Sequence, residues 1–307
     1  MGAAEARGTA ARGRRSPDAG SLTRLVPWLV RALWAALPFT VGPVLADALD
    51  GASGPVRLLA SAGLWAGWAA GMVAAAVAHP VALTALRVLA PAVVAAVIAA
   101  AAGGHRSALA AGWAVVTLAW VFSPAVGAHC VNGPAYPNER RHLLRAPGAL
   151  LFGPLPLAWA LALAGACAGP LLLAARQWVG GAAALVVGVP LAVVLVRSIN
   201  NLSRRWVVFV PAGVVLHDPL TLVDPVLFVN RKITALQPAT VGGESLDLTQ
   251  GAPGLALELT LADEASLTLM KPGRRQGNTE STARVLFTPT RPGSVIDDAR
   301  ARRIRVG

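Results

Sequence analysis

Residues 178–217 read WVGGAAALVVGVPLAVVLVRSINNLSRRWVVFVPAGVVLH, and this stretch contains both kinds of structure expected in the chain. Residues 178–196 hold no charged side chain, and their length is near the roughly 20 residues with which a helix crosses a bilayer. After Arg204 and Arg205 the pattern changes to short β-branched runs between turn signals. The stretch therefore predicts a membrane helix followed directly by a β-rich domain.

Upstream of this stretch, further apolar runs predict a six-helix bundle. Charged residues make up 14% of the chain, below the roughly 25% of soluble proteins, and hydrophobic residues make up 55%. This balance argues against a soluble enzyme and against a disordered protein. The predicted spans are 25–47, 58–78, 82–103, 107–127, 149–174 and 178–197. They form a predicted transmembrane domain over residues 25–203, after a basic, disordered tail over residues 1–24.

The positions of the arginines predict how the bundle is oriented. The net charge of +12 belongs almost wholly to residues 1–205, which carry 16 arginines and 5 acids. With the N-terminus inside, the inner segments are rich in arginine and each outer loop holds one, as expected from retention of positive residues in the cytoplasm. We expect both termini in the cytoplasm and no nucleic-acid binding. Arg31 and Arg87 fall inside predicted spans near inner ends and are expected to snorkel to the interface.

An alternative concerns the first span. A basic stretch, an apolar run and Ala46-Asp47-Ala48 together imitate a secretory signal with a small-residue cleavage site. The apolar run is longer than the roughly 7–15 residues of a signal core, which favours an uncleaved anchor. Cleavage of this helix stays open as the alternative.

Residues 204–307 are predicted to form a β-rich domain that ends in a helix. The alternation of leucines over residues 255–261 is typical of a half-buried antiparallel strand. A final helix is expected to be capped by Ser294. The expected strands are 206–210, 213–217, 226–229, 232–236, 246–249, 255–261, 266–270 and 284–288.

About seven strands followed by one amphipathic helix resemble the bacterial pleckstrin-homology-like (PH-like) domain. The features that prompt the resemblance are RWVVFV at 205–210 leading into GVVL at 213–216, Ile233 in a following strand, and FTP at 287–289. The whole chain is similar in layout to uncharacterised integral membrane proteins of high-GC bacteria. The resemblance implies a surface for a ligand or partner, since such domains are generally not catalytic, and a place in the inner membrane.

The inner loop between the fourth and fifth spans contains the candidate binding residues. Arg140, Arg141 and Arg145 are candidates for holding lipid headgroups or for docking the loop onto the C-terminal domain. The alternative is that these arginines only fix the topology. Potential metal ligands near this loop are His129, Cys130 and His142. They lack a fourth ligand and a standard spacing, so no metal and no cofactor is expected.

Glycines at four-residue spacing predict helix-packing faces. Four residues return a helix to almost the same face, and small residues let two backbones approach closely in lipid. The residues concerned are Gly63, Gly67 and Gly71 on the second span and Gly165 and Gly169 on the fifth. Packing within the chain is expected, with homodimerisation as the alternative.

The distribution of acids bears most directly on function. No acid occurs between Asp50 and Glu139 or between Glu139 and Asp218. Cation- and proton-coupled transporters usually carry carboxylates in the membrane core, so such a transporter is not expected. Asp218 and Asp224 are expected to be solvated turn residues.

Motifs of catalysis are missing as well. The sequence contains no Walker-type phosphate loop, no HExxH and no nucleophile elbow, so an enzyme is not expected. We expect a non-catalytic membrane protein whose C-terminal domain binds, scaffolds or regulates, with membrane lipids and a protein as candidate partners. The alternative is a small-molecule or lipid transporter regulated by that domain, and an enzyme acting on lipid comes third.

Overall fold

A computed structural model describes residues 18–240, 243–271 and 274–307. Most of the predicted basic tail, residues 1–17, lies outside the described residues. Helix α1 begins at Asp18, so the last part of the predicted tail belongs to a helix.

The first part of the described chain is an apolar helix bundle. Five of its segments are long and apolar enough to cross a membrane, and a sixth qualifies if α6 and α7 are counted as one bent span. The predicted multi-pass membrane domain is confirmed at this level. The helices are α1 Asp18–Ala35, α2 Leu37–Thr40, α3 Gly42–Leu49, α4 Gly54–Ala76, α5 Pro80–Ala102, α6 Ala108–Val121, α7 Pro124–Asn132, α8 Gly148–Leu151, α9 Pro154–Ala174 and α10 Trp178–Leu202.

The fourth predicted span, 107–127, is broken near its end, and the helix after the break continues to Asn132. α6 and α7 meet at an angle of 51°. The break falls at Ser123, whose hydroxyl caps the new helix by accepting from the Val126 N–H at 3.3 Å, and at Pro124, which has no N–H to continue α6. The 14 residues of α6 cover about 21 Å, less than the roughly 30 Å hydrocarbon core. The span is therefore complete only with α7, which carries the chain to the loop before β1.

Two tryptophans join α1 to α4. The Trp34 indole N–H donates to the carbonyl of Trp68 at 3.0 Å, and the Trp68 indole donates back to the carbonyl of Trp34 at 3.1 Å. The Trp34 side chain is fully buried, and a Cβ on Gly71 would overlap its ring. The absence of a side chain at Gly71 is therefore what admits this contact.

The other glycines of the α4 row have different surroundings. A Cβ on Gly67 would have only Leu89 beside it, at 4.0 Å, and one on Gly63 would have no neighbour within 4 Å. The structure therefore does not bring the row Gly63, Gly67 and Gly71 together as one packing face within this chain. Only its last member meets another helix closely.

The glycines of α9 lie at a close helix contact. A Cβ on Gly165 would collide with the backbone of Gly188 on α10, and one on Gly169 would lie 2.9 Å from the Leu185 backbone. The structure places both predicted residues of this row between α9 and α10, where the two helices form a tight hairpin.

Gly71→Val should destabilise the bundle, because the new side chain would occupy the volume of the Trp34 ring. Overpacking of this kind typically costs about 1–3 kcal/mol. Gly63→Val makes the same change on the same helix in open space and should melt like the wild-type chain. Thermal unfolding in detergent measures both, and equal melting of the two variants would contradict the packing described for Trp34.

The strands form two four-stranded sheets, and a helix follows the last strand. Strand β1 comes from between α7 and α8, and the other strands follow α10. The first sheet has the order β1-β2-β3-β4 and the second has the order β5-β7-β8-β6. All neighbours are antiparallel except β6 and β8, which are parallel. The expected β-rich region and C-terminal helix are confirmed. The elements are β1 Arg140–Leu143, β2 Trp206–Val210, β3 Gly213–His217, β4 Val226–Val229, β5 Ile233–Pro238, β6 Leu246–Asp247, β7 Leu257–Lys271, β8 Arg274–Phe287 and α11 Pro292–Ala301.

Several details differ from the sequence prediction. Strand β1 was not expected, and the strand expected at 284–288 is the longer β8, which begins at Arg274. The separate strands expected at 255–261 and 266–270 are one long strand, β7, which pairs with β8 as an extended hairpin. The last helix begins at Pro292, so Ser294 lies within its first turn and is not its cap. Proline suits the first turn because its missing N–H would have no helical partner there.

Strand β2 belongs to two hydrophobic cores at once. Val207 and Phe209 lie in the core that both sheets share with α11. Trp206 and Val208, on the opposite face, lie in the core of the helix bundle together with Leu143. Side chains alternate along a strand, so one strand contributes to both cores. This arrangement seats the first sheet directly on the bundle.

Candidate functional site

The predicted site residues lie at the junction between the bundle and the sheets, where they make several polar contacts. We define it as the loop 133–147, the strands β2 and β3, and α11. The loop leaves α7, contributes strand β1 to the first sheet, and returns to the bundle through α8. The candidate residues Arg140, Arg141 and Arg145 all lie within it.

Strand β1 pairs with β2 along its whole length. Arg140 lies opposite Phe209, and Leu143 lies opposite Trp206. The next residue continues the pairing, since the Leu144 N–H donates to the carbonyl of Arg205 at 3.0 Å. The loop is therefore bonded, residue by residue, to the strand that follows the last membrane helix.

The start of β1 is fixed by Asn132 at the end of α7. The Arg141 N–H donates to Asn132 Oδ1 at 2.9 Å, and Asn132 Nδ2 donates to the Arg141 carbonyl at 2.8 Å. The Asn132 side-chain amide thus bonds to the Arg141 backbone in the way that a neighbouring strand would. It ties the backbone of β1 directly to a bundle helix.

The Arg141 side chain has partners on both sides. Its Nε donates to Glu139 Oε1 at 2.8 Å, and its guanidinium carbon lies 5.5 Å from the centre of the Trp206 ring. The hydrogen bond from Arg141 lowers the pKa of Glu139, and partial burial of the carboxylate works in the opposite direction. The Arg141 guanidinium therefore already has its partners within the chain.

Arg205 and Asp218 form a buried ion pair at the centre of the junction. Arg205 Nε donates to Asp218 Oδ1 at 2.7 Å and Nη2 donates to Oδ2 at 2.6 Å, with side-chain exposures of 1% and 0%. Arg205 Nη1 donates to the Arg145 carbonyl at 2.8 Å. The two-point geometry matches a planar guanidinium to a carboxylate. The Arg205 guanidinium thus links the start of β2 to the turn after β3 and to the loop from the bundle.

Arg145 contributes mainly through its backbone. Its N–H donates to the carbonyl of Thr288 at 2.8 Å, between β8 and α11, while its carbonyl accepts from Arg205. Its Nε is buried without a hydrogen-bond partner. The loop therefore passes between the two sheets and connects them.

Helix α11 closes over β1. His142 Nε2 lies 2.8 Å from Asp298 Oδ2 in a hydrogen bond, and Arg302 Nη2 donates to the Asn138 carbonyl at 2.7 Å. The hydrogen bond with His142 lowers the pKa of Asp298, and partial burial opposes it. The C-terminal helix is thus attached to a loop that belongs to the membrane domain.

The structure separates the three predicted arginines by role. Arg140 is exposed on β1, Arg141 is paired with Glu139, and Arg145 joins the sheets. Among the potential metal ligands, His142 bonds to Asp298 and Cys130 is buried in the bundle. In residues 18–240, 243–271 and 274–307, no group of three or more metal-ligating side chains comes together.

Sequence reasoning missed the buried pair. Asp218 was expected to be a solvated turn residue, whereas its side chain is fully buried against Arg205. The available signal was the hairpin register, because Trp206 pairs with His217, which places Arg205 opposite Asp218. Opposite charges at the open end of a hairpin are favourable cross-strand neighbours.

No protein-family model, no curated protein and no solved structure matches this chain. The fold defines its class: a multi-pass membrane protein with a β-rich region built onto its helices. Its function has to be inferred from the contacts of its own residues.

Asp218→Asn should destabilise the chain strongly, because Arg205 would remain buried without its counter-charge. Removal of one partner from a buried pair typically costs about 3–5 kcal/mol. Asp263→Asn is the matched control, since Asp263 faces Lys232 at 3.5 Å on an exposed surface. Thermal unfolding monitored by near-ultraviolet circular dichroism compares the variants. A loss as small for Asp218→Asn as for Asp263→Asn would contradict the ion pair.

Asp298→Asn should loosen α11 in a pH-dependent way. A carboxyl group whose pKa is lowered by folding stabilises the fold above the pKa of an unfolded aspartate, near 3.8, and loses this effect as pH falls through its lower folded value. The variant should therefore melt below wild type at neutral pH, and the difference should shrink below about pH 4. Asp297→Asn, on the same helix and 76% exposed, should match wild type at both pH values. A difference that is constant with pH would refute this role.

Proposed function

We propose that this chain is a non-catalytic membrane protein whose β-rich region is a binding or scaffold module fixed to the bundle, with a regulatory link between the two. The observation that carries the proposal is the sharing of β2 between both hydrophobic cores. Movement of the bundle helices would displace Trp206 and Leu143, and with them the sheet. A module coupled in this way transmits a binding event to the membrane helices, or the reverse.

The interior of the bundle favours the proposal of a scaffold rather than that of a transporter. Within the described residues, the buried polar side chains of the bundle are those of Thr84, Thr117 and Ser203, and the half-buried Arg87 adds one buried nitrogen. The remainder of the buried core is apolar. A pocket of about 230 Å³ lies at the opposite end, next to Asp47, His105 and Arg106, and does not run between the helices towards the sheets. A polar path through the bundle would have favoured the transporter.

The same proposal assigns a PH-like fold to the β-rich region and a cytoplasmic side to the junction. Two four-stranded sheets and a C-terminal helix packed on a shared core support the fold. The arginine asymmetry of the sequence supports both termini in the cytoplasm. A bacterial inner membrane is proposed from the resemblance in layout alone.

The middle of the β7–β8 hairpin is the surface we assign to the partner. Asp263 and Glu264 on β7 and Glu280 on β8 are exposed there, although Leu267 between them is buried in the core. The two strands pair regularly from Ala265 to Leu269, which holds the backbone of Glu280, whereas Asp263 and Glu264 lie where the register shifts between Thr260 and Ala265.

Site-specific photo-cross-linking in native membranes tests the proposed function. A photoreactive residue at Glu264 or Glu280 should give one discrete adduct, whereas the same residue at Arg57, exposed at the opposite end of the bundle, should not give that adduct. Adducts that are diffuse, or the same from Arg57, would contradict a binding module. Substrate flux through the purified chain in liposomes would establish the transporter instead.

A further inference from the structure

Arg87 is a charged side chain on the buried side of a membrane helix. It follows Leu83 by four residues and precedes Ala90 by three, and both of these neighbours on the same face are at most 1% exposed. Arg87 lies seven residues after Pro80, the start of α5, which is about 10 Å along the helix axis. It therefore sits well below the end of the helix that faces the junction.

The surroundings of Arg87 leave its guanidinium incompletely satisfied. The Nε atom is buried and has no hydrogen-bond partner, while the residue as a whole is half-buried. The guanidinium carbon lies 5.5 Å from the centre of the Phe122 ring, at the break between α6 and α7. A Cβ on Gly127 would lie 2.7 Å from the Leu143 side chain and 3.3 Å from Arg87 Nη2, so this glycine leaves room for both groups.

The sequence places no acid close to Arg87, since none occurs between Asp50 and Glu139. Asp50 follows α3, and Glu139 is bound by Arg141. Arg31 shows the contrasting case, because its guanidinium donates to the carbonyls of Ala75 and Ala76 at the end of α4. A cation at membrane depth without such partners is costly, and such residues commonly mark functional sites.

We propose that Arg87 binds an oxyanion of the phosphate class, supplied by the headgroup of an anionic membrane lipid. A guanidinium presents several N–H donors in a planar fork that matches phosphate oxygens. The half-buried side chain lies about 10 Å from the junction end of α5. A headgroup phosphate that enters from this end reaches that depth more easily than it reaches the bilayer centre. This site lies in the bundle and is independent of the partner surface assigned to the hairpin.

The test uses the full chain in neutral detergent, with dioleoyl phosphatidylglycerol, dioleoyl phosphatidylcholine or inorganic phosphate added. Phosphatidylglycerol should raise the melting temperature of wild type by several degrees more than phosphatidylcholine does. Arg87→Gln should lose this difference. Arg197→Gln removes an exposed arginine at the junction end of α10 and should keep it.

Further outcomes separate the alternatives. A rise with inorganic phosphate alone, lost in Arg87→Gln, would support the anion site and make the source a soluble anion. If Arg87 served only for packing on Phe122, Arg87→Gln would lower the melting temperature and retain the response to phosphatidylglycerol, which would overturn the proposal. If Arg87→Gln fails to fold, the test becomes lipid retention by wild type and by Arg87→Lys, measured by native mass spectrometry. Wild type must then retain phosphatidylglycerol in preference to phosphatidylcholine, and Arg87→Lys must retain less; equal retention overturns the site.

Discussion

Strand β2 is buried on both of its faces and bonded along both of its edges, and the rest of the structure depends on this constraint. It begins only a few residues after α10, so the sheet has to start at the end of the bundle. Trp206 and Val208 fill the bundle core while Val207 and Phe209 fill the sheet core. An uncovered edge of such a strand would present unpaired backbone groups and invite wrong pairing. Strand β1, drawn from between two membrane helices, covers it.

The Arg205–Asp218 pair fixes how these segments meet. Burial of two charges is expensive, and a buried pair adds less to stability than its short distances suggest. Its value here lies in its selectivity, because Arg205 is satisfied only when Asp218 and the Arg145 carbonyl are both in place. A shift of the sheet on the bundle would leave a buried charge unpaired. The pair therefore disfavours other positions of the sheet on the bundle more than it stabilises the observed position.

The sequence predicted the elements better than their connections. Apolar length identifies the spans, and the leucine alternation identifies β7, where Leu257, Leu259 and Leu261 are buried. The strand at 140–143 carries two arginines and a histidine, so neither periodicity nor β propensity marks it, and only pairing with β2 makes it a strand. One overlooked signal was the run WVVFV, since a continuous apolar strand is typical of burial on both faces. The glycine spacing likewise could not distinguish Gly63, in open space, from Gly71, against Trp34, because spacing does not say what lies opposite.

Disulfide trapping between β1 and β2 tests the shared-strand arrangement most directly. Arg141 and Val208 lie opposite each other in the β1–β2 pairing. Cysteines at 141 and 208, in a chain whose native cysteines are replaced by alanine, should form a disulfide readily under mild oxidation. Cysteines at 141 and 210, two residues out of register, should form it poorly. Cross-linking that is equal for both pairs, or faster for the second, would contradict the arrangement on which the account rests.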